Sequence, residues 1–331
     1  MDKICILGLG SWGSALGLVL SNKNYDVCMW TLNEEQSDKL NNNHINEDYL
    51  PNIVFPNNMK ATTSLEDAIK GSSVVILATP SQAIRSVCEK IQEFVTENQI
   101  LVNVSKGLEE SSGLRLSQVV KEVLPNNKFV SLSGPSHAEE VAVNMPTTLV
   151  SASTDLESAR YIQDLFMTPS LRIYTNDDLV GVELGGALKN IIAFAAGVCD
   201  GIGLGDNSKA ALITRGIREI TRLGVAMGAK ESTFSGLSGI GDLIVTCTSM
   251  HSRNRRAGML IGQGKSLDET LDEIKMVVEG IVATKAAYKV SKELNVEMPI
   301  TEAIYKGLYE NENPKKIIDN LMNREKREEI I

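Results

Sequence analysis

The chain has 331 residues, of which 43% are hydrophobic and 23% are charged, and its formal net charge is -9. This length indicates two domains with a sizeable core, and the composition is typical of a globular protein. The negative charge argues against a general nucleic-acid or anionic-membrane surface, so any anion must be bound by a local site.

The first half of the chain alternates short β-branched runs with amphipathic helical segments. Strands are predicted for seven runs: KICIL from Lys3, DVCMW from Asp26, SVVILAT from Ser73, ILVNV from Ile100, FVSLS from Phe129, TTLVSAS from Thr147 and LRIYT from Leu171. This alternation predicts a parallel, doubly wound sheet. Helical periodicity dominates after about residue 176. We therefore expect an α/β protein, with a Rossmann-type dinucleotide-binding domain at 1–180 and an all-α substrate-binding domain at 181–331.

A glycine-rich turn follows the first predicted strand and opens a helix. GLGSWG spans residues 8–13 and matches G-x-G-x-x-G in the required context. Gly8 permits the tight turn, Gly10 lets the backbone approach a pyrophosphate, and Gly13 allows close packing of the helix on the strand. The motif predicts a dinucleotide site, and a glycine turn without a ligand is the alternative.

Polar residues follow two later strands of the predicted sheet. SKGLEE places Lys106 directly after one strand, and SGPSHAEEV places Gly134 and Ser136 after the next. Ligands of open α/β sheets bind at the carboxyl ends of strands, so these residues are candidates for the site. For Lys106 alone, a solvated loop lysine is the simpler interpretation.

A single lysine lies in a helical stretch of small and apolar residues. ELGGALKNIIAFAAG, residues 183–197, contains Lys189, and the preceding Gly185, Gly186 and Ala187 would allow a ligand to approach closely. Alternatively, a lysine can snorkel along apolar surface to reach water. We interpret Lys189 as a candidate acid–base that faces the nicotinamide.

Two polar groups interrupt the helical half. GLSGIGDLIVTC places Asp242 in a glycine-rich, apolar stretch, where it either caps a helix or belongs to the site. SMHSRNRRAG contains Ser252, Arg253 and Asn254, a cluster at a predicted helix start that suits a small phosphate. A surface basic patch is the alternative. Together with the dinucleotide turn, these residues predict hydride transfer on a small phosphorylated alcohol or ketone.

The remaining signals concern metals and location. The cysteines are dispersed without a C-x-x-C pair, which is typical of reduced thiols in a cytosolic protein. The three histidines show no metal-ligand spacing, so we expect no metal site. Because no basic n-region or cleavage site precedes the apolar run that begins at Ile4, we expect no secretory signal. Apolar runs such as 191–198 are too short to span a bilayer. We expect a cytoplasmic protein without membrane insertion.

In this order, the motifs resemble those of bacterial NAD(P)-dependent glycerol-3-phosphate dehydrogenases. The resemblance covers nearly the whole chain and rests on GLGSWGSALG, VSKGLE, SGPSHAEEV, GGALKNIIAFAAG, GLSGIGDLIVTCTS, SRNRRAG, VVEGIVATKAA and MPITEAIYKGLYE. It implies a homodimer that reversibly reduces dihydroxyacetone phosphate to sn-glycerol 3-phosphate and so supplies phospholipid synthesis.

The resemblance also implies roles for individual residues. Lys189 corresponds to the proton acceptor, and Asp242 supports the substrate and the lysine. Beside these implied roles, we expect Lys106 to polarise the carbonyl oxygen as negative charge develops. Substrate contacts are implied for Lys106, Gly134, Ser136, Lys189, Asp242, Ser252, Arg253 and Asn254. Cofactor contacts are implied for Ser11, Trp12, Lys106, Ala138, Arg253, Val277 and Glu279, beside the three glycines of the turn.

The choice between NAD and NADP depends on the residues after the second strand. They read WTLNEE, with Thr31, Leu32 and Asn33 where many family members have a basic residue. The absence of an arginine mildly favours NAD, although the acids arrive slightly late for the ribose hydroxyls. Two alternatives remain: another Rossmann plus helical-domain dehydrogenase of hydroxyacids or sugar acids, and a redox-sensing dinucleotide module without turnover.

Overall fold

An eight-stranded sheet forms the first half of the protein in a computed structural model that describes residues 2–326 and 328–329. Positions 1, 327, 330 and 331, which the predicted domain ranges include, lie outside the described residues. The strands are β1 (Lys3–Leu7), β2 (Asp26–Trp30), β3 (Met59–Thr62), β4 (Ser72–Leu77), β5 (Ile100–Asn103), β6 (Phe129–Ser133), β7 (Thr147–Ala152) and β8 (Leu171–Asn176).

The strand order is β3-β2-β1-β4-β5-β6-β7-β8, and neighbouring strands are parallel except β6 and β7. Side chains alternate between the two faces: Ile4 and Ile6 join one apolar cluster, while Cys5 and Leu7 join another on the opposite face. All seven predicted strands are present. Sequence reasoning missed β3, since MKAT is short and nearly lacks β-branched residues.

In the described part of the chain, seven α-helices accompany the sheet: α1 (Ser11–Asn22), α2 (Glu34–Asp38), α3 (Leu65–Ile69), α4 (Ile84–Ile91), α5 (Leu116–Val123), α6 (Ala138–Ala142) and α7 (Leu156–Phe166). A π-helical segment at Lys39–Asn43 and a 3₁₀ turn at Ser81–Ala83 lie between them. The five-residue α6 is too short to return the chain along the full length of a strand. The sequence pattern predicted a wholly parallel sheet. The short helix explains why β7 instead runs antiparallel to β6.

The second half of the described chain is helical. It contains α8 (Leu179–Ile202), α9 (Asp206–Ala226), α10 (Glu231–Phe234), α11 (Asp242–Thr248), α12 (Arg253–Gly262), α13 (Leu267–Ile274), α14 (Glu279–Glu293), α15 (Pro299–Tyr309) and α16 (Pro314–Met322), with a π-helical segment at Leu237–Gly241. The predicted fold class, a Rossmann-type sheet followed by helices, is confirmed. The predicted domain boundary at 180/181 falls in the first turn of α8.

Helix α8 forms the centre of the helical half. Asp178 caps it by accepting a hydrogen bond from the Gly181 N–H at 2.9 Å. By length and composition the whole of α8 could cross a membrane, although the shorter apolar run at 191–198 predicted no membrane span. In the structure, 94% of the most apolar window of α8 is buried within the protein. A Cβ on Gly197 would lie 1.9 Å from the Arg255 carbonyl oxygen, so glycine lets α12 cross α8 in backbone contact.

Candidate active site

The glycine turn after β1 has the shape that a dinucleotide requires. Gly8 has a φ of +128°, and a Cβ there would lie 2.6 Å from the Ala78 carbonyl oxygen. A Cβ on Gly13 would lie 2.3 Å from the Gly8 carbonyl oxygen. Beside Gly10, the nearest atom to a built Cβ is a Tyr49 ring carbon at 3.9 Å. The first and third glycines therefore serve the fold, and the second leaves room for a ligand.

The first turn of α1 has unused hydrogen-bond donors. No side chain caps this helix, and no acidic residue lies in its first turn. Ser11 Oγ donates to the Tyr49 carbonyl oxygen at 3.0 Å, while the buried Trp12 Nε1 has no hydrogen-bond partner in the described chain. Backbone donors at a helix N-terminus favour an anion, so these residues fit a dinucleotide pyrophosphate.

Lys189, Asp242 and Lys106 meet in one buried ion-pair network. Lys189 Nζ lies 2.8 Å from Asp242 Oδ1, and Lys106 Nζ lies 2.7 Å from Asp242 Oδ2. Lys106 also donates to the Gly134 carbonyl oxygen at 2.8 Å, and Lys189 donates to Thr246 Oγ1 at 2.6 Å. Lys189 is only 5% exposed, so it does not snorkel to water.

Three elements bring this network together. Lys189 lies on α8, Asp242 begins α11, and Lys106 follows β5 at the carboxyl edge of the sheet. A Cβ on Gly186 would lie 2.9 Å from Ser133 Oγ and 3.5 Å from Lys106 Cγ. Gly186 therefore admits β6 and the Lys106 side chain. The expectation that the small residues before Lys189 let a ligand approach closely stays a prediction.

Burial and charge act in opposite directions on the two central groups. Burial lowers the pKa of Lys189 to about 8, and the Asp242 carboxylate only partly counteracts this. Burial raises the pKa of Asp242, but the positive charges of Lys106 and Lys189 outweigh burial and hold it below its ordinary value. Asp242 therefore remains an anion, while Lys189 has both protonation states available near neutral pH.

In the predicted phosphate cluster, Ser252 and Asn254 are buried whereas Arg253 is exposed. Ser252 Oγ caps α12 by accepting from the Arg255 N–H at 3.2 Å. Asn254 is buried, and its amide donates to Asn190 Oδ1 at 3.0 Å and accepts from the Gly280 N–H at 2.8 Å. Arg253 is exposed and makes no hydrogen bond or salt bridge within the described residues. Arg253 thus remains available to an anion, while Asn254 also fixes three helices.

Glu279 joins the helical half to the sheet. Its carboxylate accepts from the Ser81 N–H at 3.1 Å and from Ser81 Oγ at 2.5 Å, just beyond β4. Val277 is exposed in the segment before α14, and Ala138 begins α6 directly after Ser136 and His137. These predicted cofactor contacts therefore lie on elements that border the carboxyl edge of the sheet.

Comparison with known proteins assigns the family. A family model described as NAD-dependent glycerol-3-phosphate dehydrogenase N-terminus matches residues 3–159, and the corresponding C-terminus model matches residues 178–319. The chain belongs to the NAD-dependent glycerol-3-phosphate dehydrogenase family. This confirms the resemblance that the motifs indicated, and the two family models match strands β1 to β7 and most of the helical half.

Individual members of the glycerol-3-phosphate dehydrogenase family match along their full length. The enzyme named glycerol-3-phosphate dehydrogenase, NAD(P)+, from Clostridium perfringens is 53% identical over 331 residues and covers 100% of both chains. Its namesake from Bacillus licheniformis is 53% identical over 334 residues, covering 100% of this chain and 96% of the relative. A crystal structure of the Coxiella burnetii enzyme has a TM-score of 0.94 at 36% identity, covering 98% and 99% of the two chains.

The structure adds residues that sequence reasoning missed in this family member. Thr246 and Asn190 contact the predicted site, and both had a signal: Thr246 follows Asp242 by four residues on a helix, and Asn190 adjoins Lys189. His137 Nε2 is buried and has no hydrogen-bond partner among the described residues, and the ring centroid of His137 lies 5.5 Å from that of His251. Nothing in the sequence could have paired these histidines, which are far apart in the chain.

Proposed function

We propose that this family member catalyses reversible hydride transfer between sn-glycerol 3-phosphate and NAD(P)+, giving dihydroxyacetone phosphate and NAD(P)H. The observation that carries the proposal is the buried Lys189–Asp242–Lys106 network at the carboxyl edge of the sheet. The substrate is a small phosphorylated alcohol or ketone, and in the direction of ketone reduction the sn-glycerol 3-phosphate that forms supplies phospholipid synthesis. The nicotinamide, when bound, accepts or donates the hydride.

Lys189 handles the proton in this proposal. As a neutral amine it accepts the C2 hydroxyl proton during oxidation, and as an ammonium group it returns a proton during ketone reduction. A pKa of about 8 keeps both forms accessible near neutral pH. Asp242 accepts from Lys189 at 2.8 Å and so fixes the position of the amine.

Lys106 stabilises the negative charge that develops on the carbonyl oxygen. Asp242 Oδ2 at 2.7 Å and the Gly134 carbonyl oxygen at 2.8 Å hold its ammonium group in place. A group that is already oriented needs no reorganisation at the moment of reaction, which is how fixed charges favour a transition state.

Arg253 and the N-terminus of α12 bind the substrate phosphate. Arg253 is exposed and free of internal salt bridges within the described chain, whereas Arg255 is paired with Asp200 at 2.8 Å. Phosphate binding away from C2 provides the orientation that the reacting carbon needs. Ser136 and Gly134 border the same space from the sheet.

The decisive experiment follows NADH and NADPH oxidation with dihydroxyacetone phosphate and with a panel of 2-keto acids. We expect turnover with the phosphorylated ketone only. Turnover of a keto acid instead would favour the hydroxyacid dehydrogenase alternative, and dinucleotide binding without any turnover would favour a redox sensor. Either result would overturn the proposed activity.

We further propose that the enzyme is a cytoplasmic homodimer. The five cysteines are free thiols, which suits a reducing compartment. Light scattering on the purified protein measures the mass, and a monomer of 36.0 kDa at working concentration would contradict the dimer. Cell fractionation with an antibody to the chain tests the compartment.

A further inference from the structure

We propose that the loop after β2 makes this enzyme selective for NAD(H) over NADP(H), and that Leu32 is the residue that sets the selectivity. This inference rests on the proposed function, because it concerns the dinucleotide of that same site. It concerns the adenosine end of the cofactor, where NADP carries a 2′-phosphate and NAD a hydroxyl group. The hydride chemistry is identical for both.

The loop lies where the adenosine ribose must bind. β2 pairs in parallel with β1, so its carboxyl end adjoins the glycine turn. The Gly8 N–H donates to the Trp30 carbonyl oxygen at 3.0 Å, and Gln36 Nε2 donates to the Leu9 carbonyl oxygen at 2.8 Å. In Rossmann domains, residues that follow the second strand bind the ribose hydroxyl or the 2′-phosphate.

Polar side chains of this loop are already engaged within the protein. Thr31 is buried and its Oγ1 donates to Gln36 Oε1 at 2.7 Å. Asn33 Oδ1 caps α2 by accepting from the Gln36 N–H at 3.1 Å. Leu32, between them, is 80% exposed. The side chain that projects from the loop is therefore apolar and offers a phosphate no hydrogen bond.

The charges around the loop also oppose a phosphate. Residues 31–58, which connect β2 to β3, contain five acids and a single lysine, with no arginine: Glu34, Glu35, Asp38, Lys39, Glu47 and Asp48. The Lys39 ammonium lies 2.7 Å from Glu35 Oε1 and is thereby partly neutralised. A phosphate monoester carries roughly −1.5 to −2 charges at neutral pH, so it is repelled here whereas a hydroxyl is not.

A rival explanation assigns the 2′-phosphate to Lys39, which would have to leave Glu35. Breaking a surface ion pair costs little, so binding measurements are the test that separates the two explanations. The two explanations differ in what a new cation at position 32 would do. If Lys39 already binds the phosphate, an arginine there adds little, but if the loop excludes NADPH, an arginine there restores binding.

The experiment measures equilibrium binding rather than turnover. The two tryptophans, Trp12 and Trp30, lie at the first turn of α1 and the end of β2, so their fluorescence reports dinucleotide binding. We expect the wild type to bind NADPH at least about tenfold more weakly than NADH. The same ratio is expected between 2′-phospho-ADP-ribose and ADP-ribose in calorimetry, which removes the nicotinamide from the measurement.

The variant Leu32→Arg is expected to tighten NADPH binding about tenfold and to leave NADH binding nearly unchanged. The matched control is Met322→Arg, which adds the same charge at another side chain that is 80% exposed. Equal affinity of the wild type for both dinucleotides would overturn the inference, as would an equal gain in Met322→Arg.

The outcomes separate this inference from the proposed function. Selective NADH binding without turnover of dihydroxyacetone phosphate would support the selectivity and overturn the proposed reaction. Turnover with equal affinities for NADH and NADPH would support the proposed reaction and overturn the selectivity. Binding of neither dinucleotide would overturn both.

Discussion

Asp242 and Glu219 are both buried carboxylates, 1% and 3% exposed, yet their surroundings give them opposite charge preferences. Asp242 lies between two lysines at the junction of sheet and helices. Glu219, on α9, accepts from the Ile300 N–H at 2.6 Å and the Thr301 N–H at 3.2 Å at the start of α15. Burial raises the pKa of Glu219 to about 7, and these hydrogen bonds lower it only in part.

Glu183 provides an intermediate case. It is buried on α8, where Arg115 Nη1 lies 2.6 Å from its Oε2 and Ser117 donates two hydrogen bonds. Burial still raises the pKa of Glu183 above its ordinary value, although the arginine and serine act against it. The three carboxylates show that burial alone does not indicate function. Two cations hold the pKa of the buried Asp242 below its ordinary value, and that arrangement occurs at the proposed site.

The largest expected effect comes from removing the amine on which the site depends. Lys189→Met should lower kcat by about 10²–10⁴-fold in both directions, because the proton on the C2 hydroxyl loses its acceptor. The Kd for NADH should change little.

In the wild type, a Lys189 pKa of about 8 predicts that the rate of oxidation rises as pH increases through that value, whereas the rate of reduction falls.

Lys189→Arg separates charge from proton transfer. Arginine keeps the positive charge beside Asp242 but does not become a neutral base at working pH. We therefore expect it to be nearly as inactive as Lys189→Met. Full activity in the arginine variant would show that the site needs only a cation, and near-normal turnover in the methionine variant would exclude Lys189 from the chemistry.

Asp242→Asn tests how the Asp242 carboxylate affects the two lysines that it contacts. It leaves the ammonium groups of Lys106 and Lys189 without their shared anion, and losing one partner of a buried ion pair typically costs about 3–5 kcal/mol. Because the Asp242 charge raises the pKa of Lys189, the variant should move the oxidation profile to lower pH. The measurement is kcat against pH at saturating cofactor. An unchanged profile with reduced kcat would mean that Asp242 does not set the Lys189 pKa.

Glu219→Gln tests the buried carboxylate that lies outside the proposed site. The folded pKa of about 7 lies above the ordinary 4.5, so the folded state binds the Glu219 proton more tightly than the unfolded state. The associated stability is present below pH 4.5 and is lost as pH rises through 7. Over that window the wild type should lose about 3 kcal/mol that the glutamine variant keeps.

Unfolding in urea at pH 5 and pH 8 measures this difference. Activity at pH 7 should be unaffected, since Glu219 lies outside the proposed site. Glu89→Gln, on an exposed position of α4, removes the same charge without burial and should change stability in parallel with the wild type. A parallel change in Glu219→Gln as well would show that folding does not raise the pKa of Glu219.

Sequence patterns identified the residues of the proposed site better than they identified the buried Glu219. Gly8 and Gly10 were recognised from a strand–turn–helix context, and Lys189 and Asp242 stood out as charges among apolar residues. Glu219 lies in an amphipathic helix where acids are common, and its partner Ile300 is 81 residues away. The partners of Lys106 were hidden for the same reason, since Asp242 is 136 residues distant. Tertiary pairing over such separations leaves no local signal.

The smallest expected effect concerns the hydroxyl that holds Lys189. Thr246 Oγ1 accepts from Lys189 Nζ at 2.6 Å and donates to the Asp242 carbonyl oxygen at 2.6 Å, one helical turn earlier. Thr246→Val preserves the shape but removes both bonds, and a lost hydrogen bond to a charged group corresponds to about tenfold in kcat. Thr246→Ser keeps the hydroxyl and should retain activity. If valine and serine variants were equally impaired, packing of the threonine methyl group would matter more than orientation of the lysine.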